Sequence, residues 1–216
     1  MGRKRSKLEI SREKGENQVE EQRINILDAA ERQFLEKGLE NINMTDIAQG
    51  AGINRASLYR YFPDLHTIAF EIAVRTMKRI SAAVVSGGEE SNLENFRKTM
   101  LTAIDKFFEL QTAFQFMGMF DHLYSAAYPN EELAVWYKQQ LFPLQLGIDS
   151  EDLQKGQSDV AVDQIVMIGN CVMSFLQKLA ARGALMAVEQ EVSISSQLKL
   201  FKNLINTYFN EIEPKA

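Results

Sequence analysis

Between Arg55 and Tyr61 the chain reads Arg55-Ala56-Ser57-Leu58-Tyr59-Arg60-Tyr61, which sets two guanidiniums, two phenols and a hydroxyl within seven residues. Guanidiniums donate in pairs to base edges or phosphates and hydroxyls donate to phosphate oxygens, so the chemistry on offer is a nucleic-acid contact. Ala56 and Ser57 keep the first turn thin enough to enter a major groove, while Leu58 and Phe62, four apart, are expected to face inward. A second basic group lies far upstream: Arg3, Lys4, Arg5 and Lys7 form a run with no acid in it. Such arms touch phosphates or the minor groove, although a solvated tail has the same composition.

A third group is aromatic. Residues 96–142 hold more than half of the rings in the chain, with Met100, Met117 and Met119 among them. Flat rings and flexible thioethers line roomy apolar pockets, and they fill ordinary cores equally well. The candidates for an apolar or aromatic small-molecule site are Phe107, Phe114, Met117, Phe120, Tyr124 and Trp136, with Phe175 from a later helix and His122 as a polar group.

Catalytic chemistry finds no comparable constellation. Cys171 is the single cysteine and reads as an inert buried residue; His66 and His122 are the two histidines, so neither a disulfide framework nor a metal cluster is expected. Gly87-Gly88 lacks the Lys and Ser/Thr of a phosphate-binding loop, and no serine is placed beside a histidine. The reading is a non-enzymatic protein without cofactor or metal. No apolar run reaches the length of a membrane helix, the first residues lack the apolar stretch of a signal peptide, and a cytoplasmic location is expected. The net charge of -5 argues against nucleic acid only as a sum: residues 1–62 carry eleven Lys and Arg against ten Asp and Glu, so the acidity lies in the remainder.

Helices must position these groups. Length and composition predict one domain or two closely joined ones. Residues 1–19 read as a flexible basic extension. From Glu20, Ile24, Leu27, Ala30 and Phe34 form an amphipathic stripe that Gly38 ends. Asn43 followed by Asp46 opens a short second helix, Ala51-Gly52-Ile53 breaks it, and Asn54 caps a third that Pro63 ends. Two short helices about a glycine turn have the layout of a helix-turn-helix.

These blocks resemble the DNA-binding domain of TetR-family transcriptional regulators. The resemblance is carried by Ile26-Leu27-x-Ala29-Ala30-x-x-x-Phe34-x-x-x-Gly38, by Asp46-Ile47-Ala48-x-x-Ala51-Gly52-Ile53, and by Ala56-Ser57-Leu58-Tyr59-x-Tyr61-Phe62. It implies an all-α protein: a three-helix helix-turn-helix domain over 20–64, then a helical ligand-binding and dimerisation domain over 65–216. It further implies that Arg55, Ala56 and Tyr59 face base edges of double-stranded DNA, that Thr45 lies near the groove, and that Ser57, Arg60 and Tyr61 make phosphate or mixed contacts. One position departs from the family. Where a phosphate-contacting lysine is usual, Phe62-Pro63-Asp64 runs into Leu65 and His66, which leaves Asp64 to be read as a helix N-cap.

In the following body, Leu65 to about Val85 reads as a connecting helix and Leu93 to Met117 as another. Ser158 to Arg182 is apolar on more than one face, as is the last helix, where Ile194, Leu198, Phe201, Ile205 and Tyr208 form one seam and Leu200, Leu204 and Phe209 a second. Surplus apolar surface on two helices suits either a four-helix bundle across a two-fold axis or two faces consumed within one subunit; the family resemblance implies the homodimer, with Ile168, Val172, Leu198, Phe201, Ile205 and Tyr208 at its interface. The function expected is a ligand-responsive regulator, a repressor by family habit, released from a near-palindromic operator by an apolar inducer. An activator, or a helix-turn-helix serving protein interaction, is the alternative.

Overall fold

The computed structural model describes residues 7–85, 93–124, 129, 131–141, 159–186 and 193–212. These residues are all-α, in two compact units that divide between Ile72 and Ala73.

In the first unit, α1 (Lys7–Lys37) packs on α2 (Met44–Gly50), and α2 on α3 (Arg55–Tyr59). The helix starts well before Glu20, so residues 7–19 are helical rather than a flexible extension. Their Glu, Lys, Arg and Gln are strong helix formers, and a helix already anchored downstream extends through them without a new nucleus. Arg3, Lys4 and Arg5 lie outside the described residues. The apolar stripe also differs from expectation by rotation: Ile26, Leu27, Ala30 and Phe34 are buried, whereas Ile24 is 46% exposed. Gly38 ends α1 with φ +83°, its N–H donating to Phe34 O at 2.9 Å, and Gly52 makes the turn between α2 and α3 with φ +68°. Both are backbone states that a Cβ would strain.

Local side chains set both short helices. Asn43 Oδ1 accepts from the N–H groups of Thr45 (2.8 Å) and Asp46 (3.2 Å), while Asp46 Oδ2 accepts from the Asn43 N–H (3.0 Å), a complete capping box. Asn54 Oδ1 accepts from Ser57 N–H at 2.7 Å. Each cap contributes about 1 kcal/mol. The α3 helix stops at Tyr59, short of Pro63: Arg60 and Tyr61 form a tight turn in which their N–H groups reach back to Ser57 O and Leu58 O. Leu58 and Phe62 are fully buried, as their spacing predicts.

The long α4 (Leu65–Val84) opens under an Asp64 cap, whose Oδ1 accepts from Thr67 N–H at 2.7 Å. The two units divide inside α4 rather than at its start, because Glu71, two turns in, is still paired with Arg23 of α1.

The second unit holds the rest of α4 with α5 (Leu93–Asp105), α6 (Gln111–Tyr124), α7 (Glu131–Leu141), α8 (Asp159–Met186) and α9 (Ile194–Ile212). The single helix expected over 93–117 is two helices, joined by a turn over 106–110. No Gly or Pro marks that break. Phe107 and Leu110 are buried on either side of exposed Phe108 and Glu109, and the Phe107 and Phe114 rings stack at 6.2 Å, so burial holds the turn. The main contact is α6 along α8, where Gly118 comes so close to Gln177 that a Cβ there would lie 3.3 Å from the Gln177 Cβ. The α5 helix lies on α9, tied by Arg97 Nη2 donating to Asn206 Oδ1 (2.5 Å) and Asn210 Oδ1 (2.8 Å), and by Lys202 to Asp105 at 2.6 Å. Among the described residues no helix is long and apolar enough to cross a membrane.

Candidate nucleic-acid interface

The surface of the helix-turn-helix gathers residues from α2 and α3. Thr45, Arg55, Ala56, Tyr59 and Arg60 are exposed, and Ser57 and Tyr61 half-buried. Their inward neighbours, Ile47, Ala48, Leu58 and Phe62, are buried, so the polar residues are left outward by the packing of the apolar ones. Thr45 and Arg55 line one open groove of about 670 Å³ with Ile42, Asn43, Met44, Asp46 and Leu65. Leu65, standing where the family pattern has lysine, brings no charge to that groove.

Within this surface the donors are already ordered. Arg55 Nη2 donates to Tyr59 Oη at 3.0 Å, and Arg60 Nη2 to Ser57 Oγ at 3.1 Å. Guanidiniums held by a hydroxyl retain other N–H groups for a base edge or a phosphate.

Behind the surface lie residues that periodicity does not single out. Arg23 Nη1 donates to Tyr61 O at 3.0 Å, its Nη2 pairs with Glu71, and its guanidinium lies 4.3 Å from the Phe62 ring centre. Burial pushes the Glu71 carboxyl above the ordinary glutamate range, Glu20 adds to the rise, and the charge and hydrogen bond of Arg23 offset part of it. Asn25 Nδ2 donates to Ala51 O at 3.1 Å and Gln33 Nε2 to Asp46 O at 2.8 Å. In sequence these are polar residues beside an apolar stripe, with no signal separating them from a solvated face.

The expected small-molecule residues do not form one group. Phe120, Tyr124 and Tyr137 cluster, with ring centres 4.8 and 5.3 Å from Phe120, and Phe116 stacks on Phe120 at 6.3 Å. Phe107 and Phe114 form a separate stacked pair, Met117 is buried, and Trp136 is half-buried beside exposed Val135. Phe175 is elsewhere, stacked at 3.9 Å on Phe201 of α9. His122 is exposed, on the side of α6 away from Phe116 and Phe120. Among the described residues no cluster of three or more His, Cys, Asp or Glu could hold a metal ion.

The residues expected at a dimer interface are also redistributed. Ile168, Val172, Leu198 and Ile205 are buried within the subunit, and Phe201 and Tyr208 are half-buried. Among the described residues, the large apolar side chains exposed on α8 and α9 are instead Val166 (55%), Met167 (50%), Leu200 (67%) and Leu204 (64%), and Cys171, expected to be buried, is exposed. On α9 the expected seam turns inward at Leu198 and Ile205, and Phe209, expected on the second face with Leu200 and Leu204, is buried as well, so only Leu200 and Leu204 of that face stand exposed.

The family model for the tetR family of bacterial regulatory proteins matches residues 26–67, the span just described. An HTH-type transcriptional regulator of Mycobacterium tuberculosis strain H37Rv is 38% identical over 60 residues, 28% of this chain and 30% of that protein. The HTH-type transcriptional regulator EthR of the same strain is 28% identical over 90 residues, 42% of each chain. The chain therefore matches less than half the length of these relatives. A TetR family transcription regulator from Marinobacter aquaeolei shares the fold across 88% of this chain and 96% of its own, with a TM-score of 0.59 at 18% identity. Residues 26–67 thus match the helix-turn-helix of the tetR family of bacterial regulatory proteins, and the helical fold of the whole chain is one that solved TetR family proteins share.

Proposed function

We propose that the protein is a homodimeric regulator that reads a near-palindromic site in double-stranded DNA. The observation that carries this reading is the shared exposure of Thr45, Arg55, Ala56 and Tyr59 on one helix-turn-helix. Arg55 and Tyr59 meet base edges, Ala56 lets the helix approach the groove floor, and Arg60, Ser57 and Tyr61 meet phosphates. The basic run Arg3, Lys4 and Arg5 adds sequence-independent attraction.

Dimerisation brings together Met167, Cys171, Leu200 and Leu204 of two copies, which are exposed on α8 and α9. Two heads related by a two-fold axis occupy major-groove sections roughly 34 Å apart, hence the near-palindrome. The second unit takes a small apolar or aromatic inducer among Phe107, Phe114, Met117, Phe120 and Tyr124, with Trp136 at its margin. Phe107 and Phe114 touch each other, as do Phe120 and Tyr124, so a ligand at either pair replaces ring contacts rather than water. The inducer favours a state whose head spacing no longer fits the groove, and the repressor leaves its operator. Phe175, stacked on Phe201, and exposed His122 contribute packing and surface rather than ligand contact.

Selection of genomic fragments by the purified protein at two salt concentrations tests the reading. Recovery of a near-palindromic site that survives the higher salt is expected. Binding that is blind to sequence and lost with salt would overturn it in favour of an interaction module.

A further inference from the structure

Three side chains of α1 donate to main-chain carbonyls of the helix-turn-helix: Gln33 to Asp46 in α2, Asn25 to Ala51 in the turn, and Arg23 to Tyr61 just past α3. Such help is needed. The α3 helix has five residues, too few to hold its own orientation, and its C-terminal side is a tight turn. Arg23 differs from the other two because it is shared. The same planar group that holds Tyr61 O also pairs with Glu71 of α4 and lies on the Phe62 ring. It joins α1, the end of the recognition segment and the first turns of α4.

We infer that Arg23 is a positioning residue for base reading: by bridging the Tyr61 carbonyl and the Glu71 carboxylate it sets the angle of the recognition segment, and with it the discrimination between DNA sequences rather than the general affinity for DNA. The inference rests on the DNA-binding reading above. Hydrogen bonds to base edges demand accurate placement of Arg55 and Tyr59, whereas attraction to the phosphate backbone tolerates a loosened helix. Lysine is no substitute at this position, because an ammonium keeps the charge but lacks the flat fork that reaches two acceptors while stacked on a ring.

The test compares wild type, Arg23→Lys and Glu71→Gln on two duplexes of equal length. One is selected by the wild-type protein from a randomised pool; the other is its scrambled sequence. Binding is measured by anisotropy at two salt concentrations, and thermal melts report folding. For Arg23→Lys the expected result is a tenfold or greater loss on the selected duplex, with affinity for the scrambled duplex within twofold and its salt dependence unchanged. Glu71→Gln, which leaves Arg23 a neutral acceptor, is expected to lose about threefold in the same sense. Retention of the selected affinity by Arg23→Lys overturns the inference. So does an equal loss on both duplexes, which would make Arg23 a direct phosphate contact. If Arg23→Lys fails to fold, an unchanged ratio for Glu71→Gln overturns it. A wild-type protein that enriches no duplex rejects the DNA-binding reading itself.

Discussion

Arg55 and Tyr59 hold one another on the exposed side of α3: Arg55 Nη2 donates to Tyr59 Oη at 3.0 Å, and its guanidinium carbon stands 5.5 Å from the ring centre. A base edge would meet an ordered pair rather than two free side chains. Arg55→Ala is expected to cost roughly 1–3 kcal/mol on the selected sequence, about ten- to a hundredfold, with little change on unrelated DNA. Arg60→Ala should instead weaken all sequences alike and reduce the salt slope by about one. Titrations of both variants against selected and scrambled duplexes separate the roles; the same pattern for both would count against the assignment.

Gln33 crosses α2 at Gly50, where an added Cβ would collide with the Gln33 amide that donates to Asp46 O. Gly50→Ala gains helix propensity, at most about 1 kcal/mol. It also displaces a hydrogen bond of about 1 kcal/mol. The expected net effect is near zero in wild type and a stabilisation approaching 1 kcal/mol in a Gln33→Ala background. Urea unfolding of the four proteins in this cycle checks the coupling, and additivity would show that the two residues do not interfere.

For Glu71 the pH dependence has a definite sign. Burial raises its carboxyl above the ordinary value of 4.5 despite Arg23, so the folded state binds that proton more tightly than the unfolded chain. Its contribution to stability is full below 4.5 and is lost as pH rises through the raised value. Relative to Glu71→Gln, wild type should therefore lose stability over that window and run parallel above it. Melts of both proteins from acid to neutral pH test this. A wild type that gains on the variant with rising pH would mean that Arg23 outweighs desolvation.

On α9, Leu204 is 64% exposed and Leu198 only 7%. Leu204→Asp is expected to leave the subunit helical and, if the proposed dimer forms through this face, to sediment as a monomer where wild type sediments as a dimer. Leu198→Asp places a charge in the core and should cost several kcal/mol, enough to unfold much of the chain. Persistence of the dimer in Leu204→Asp would move the interface away from this face.

Much of the first unit is legible because its signals are local. Asn43 with Asp46, Asn54 with Ser57, and Asp64 with Thr67 are each three residues apart, the spacing at which a side-chain oxygen accepts from a free N–H of the first helical turn. Leu58 and Phe62 face inward by a spacing of four. Periodicity misplaces Ile24 because Ile24 and Ile26 both fit an apolar stripe with Leu27, and only what stands opposite chooses between them. Arg23, Asn25 and Gln33 carry no signal, since their acceptors are carbonyls 38, 26 and 13 residues away.

By itself, then, the sequence determined the all-α class, the caps that open the short helices, the glycine turn and the residue types offered on the recognition segment, all of which depend on neighbours within one or two turns. Tertiary structure alone decided where the 93–117 stretch breaks, which of the two apolar faces of α8 and α9 is spent inside the chain, and which polar residues of α1 reach the helix-turn-helix. Two faces of equal apolarity and equal period are indistinguishable along one helix; they differ only in what packs against them, and that is set by residues far away in the chain.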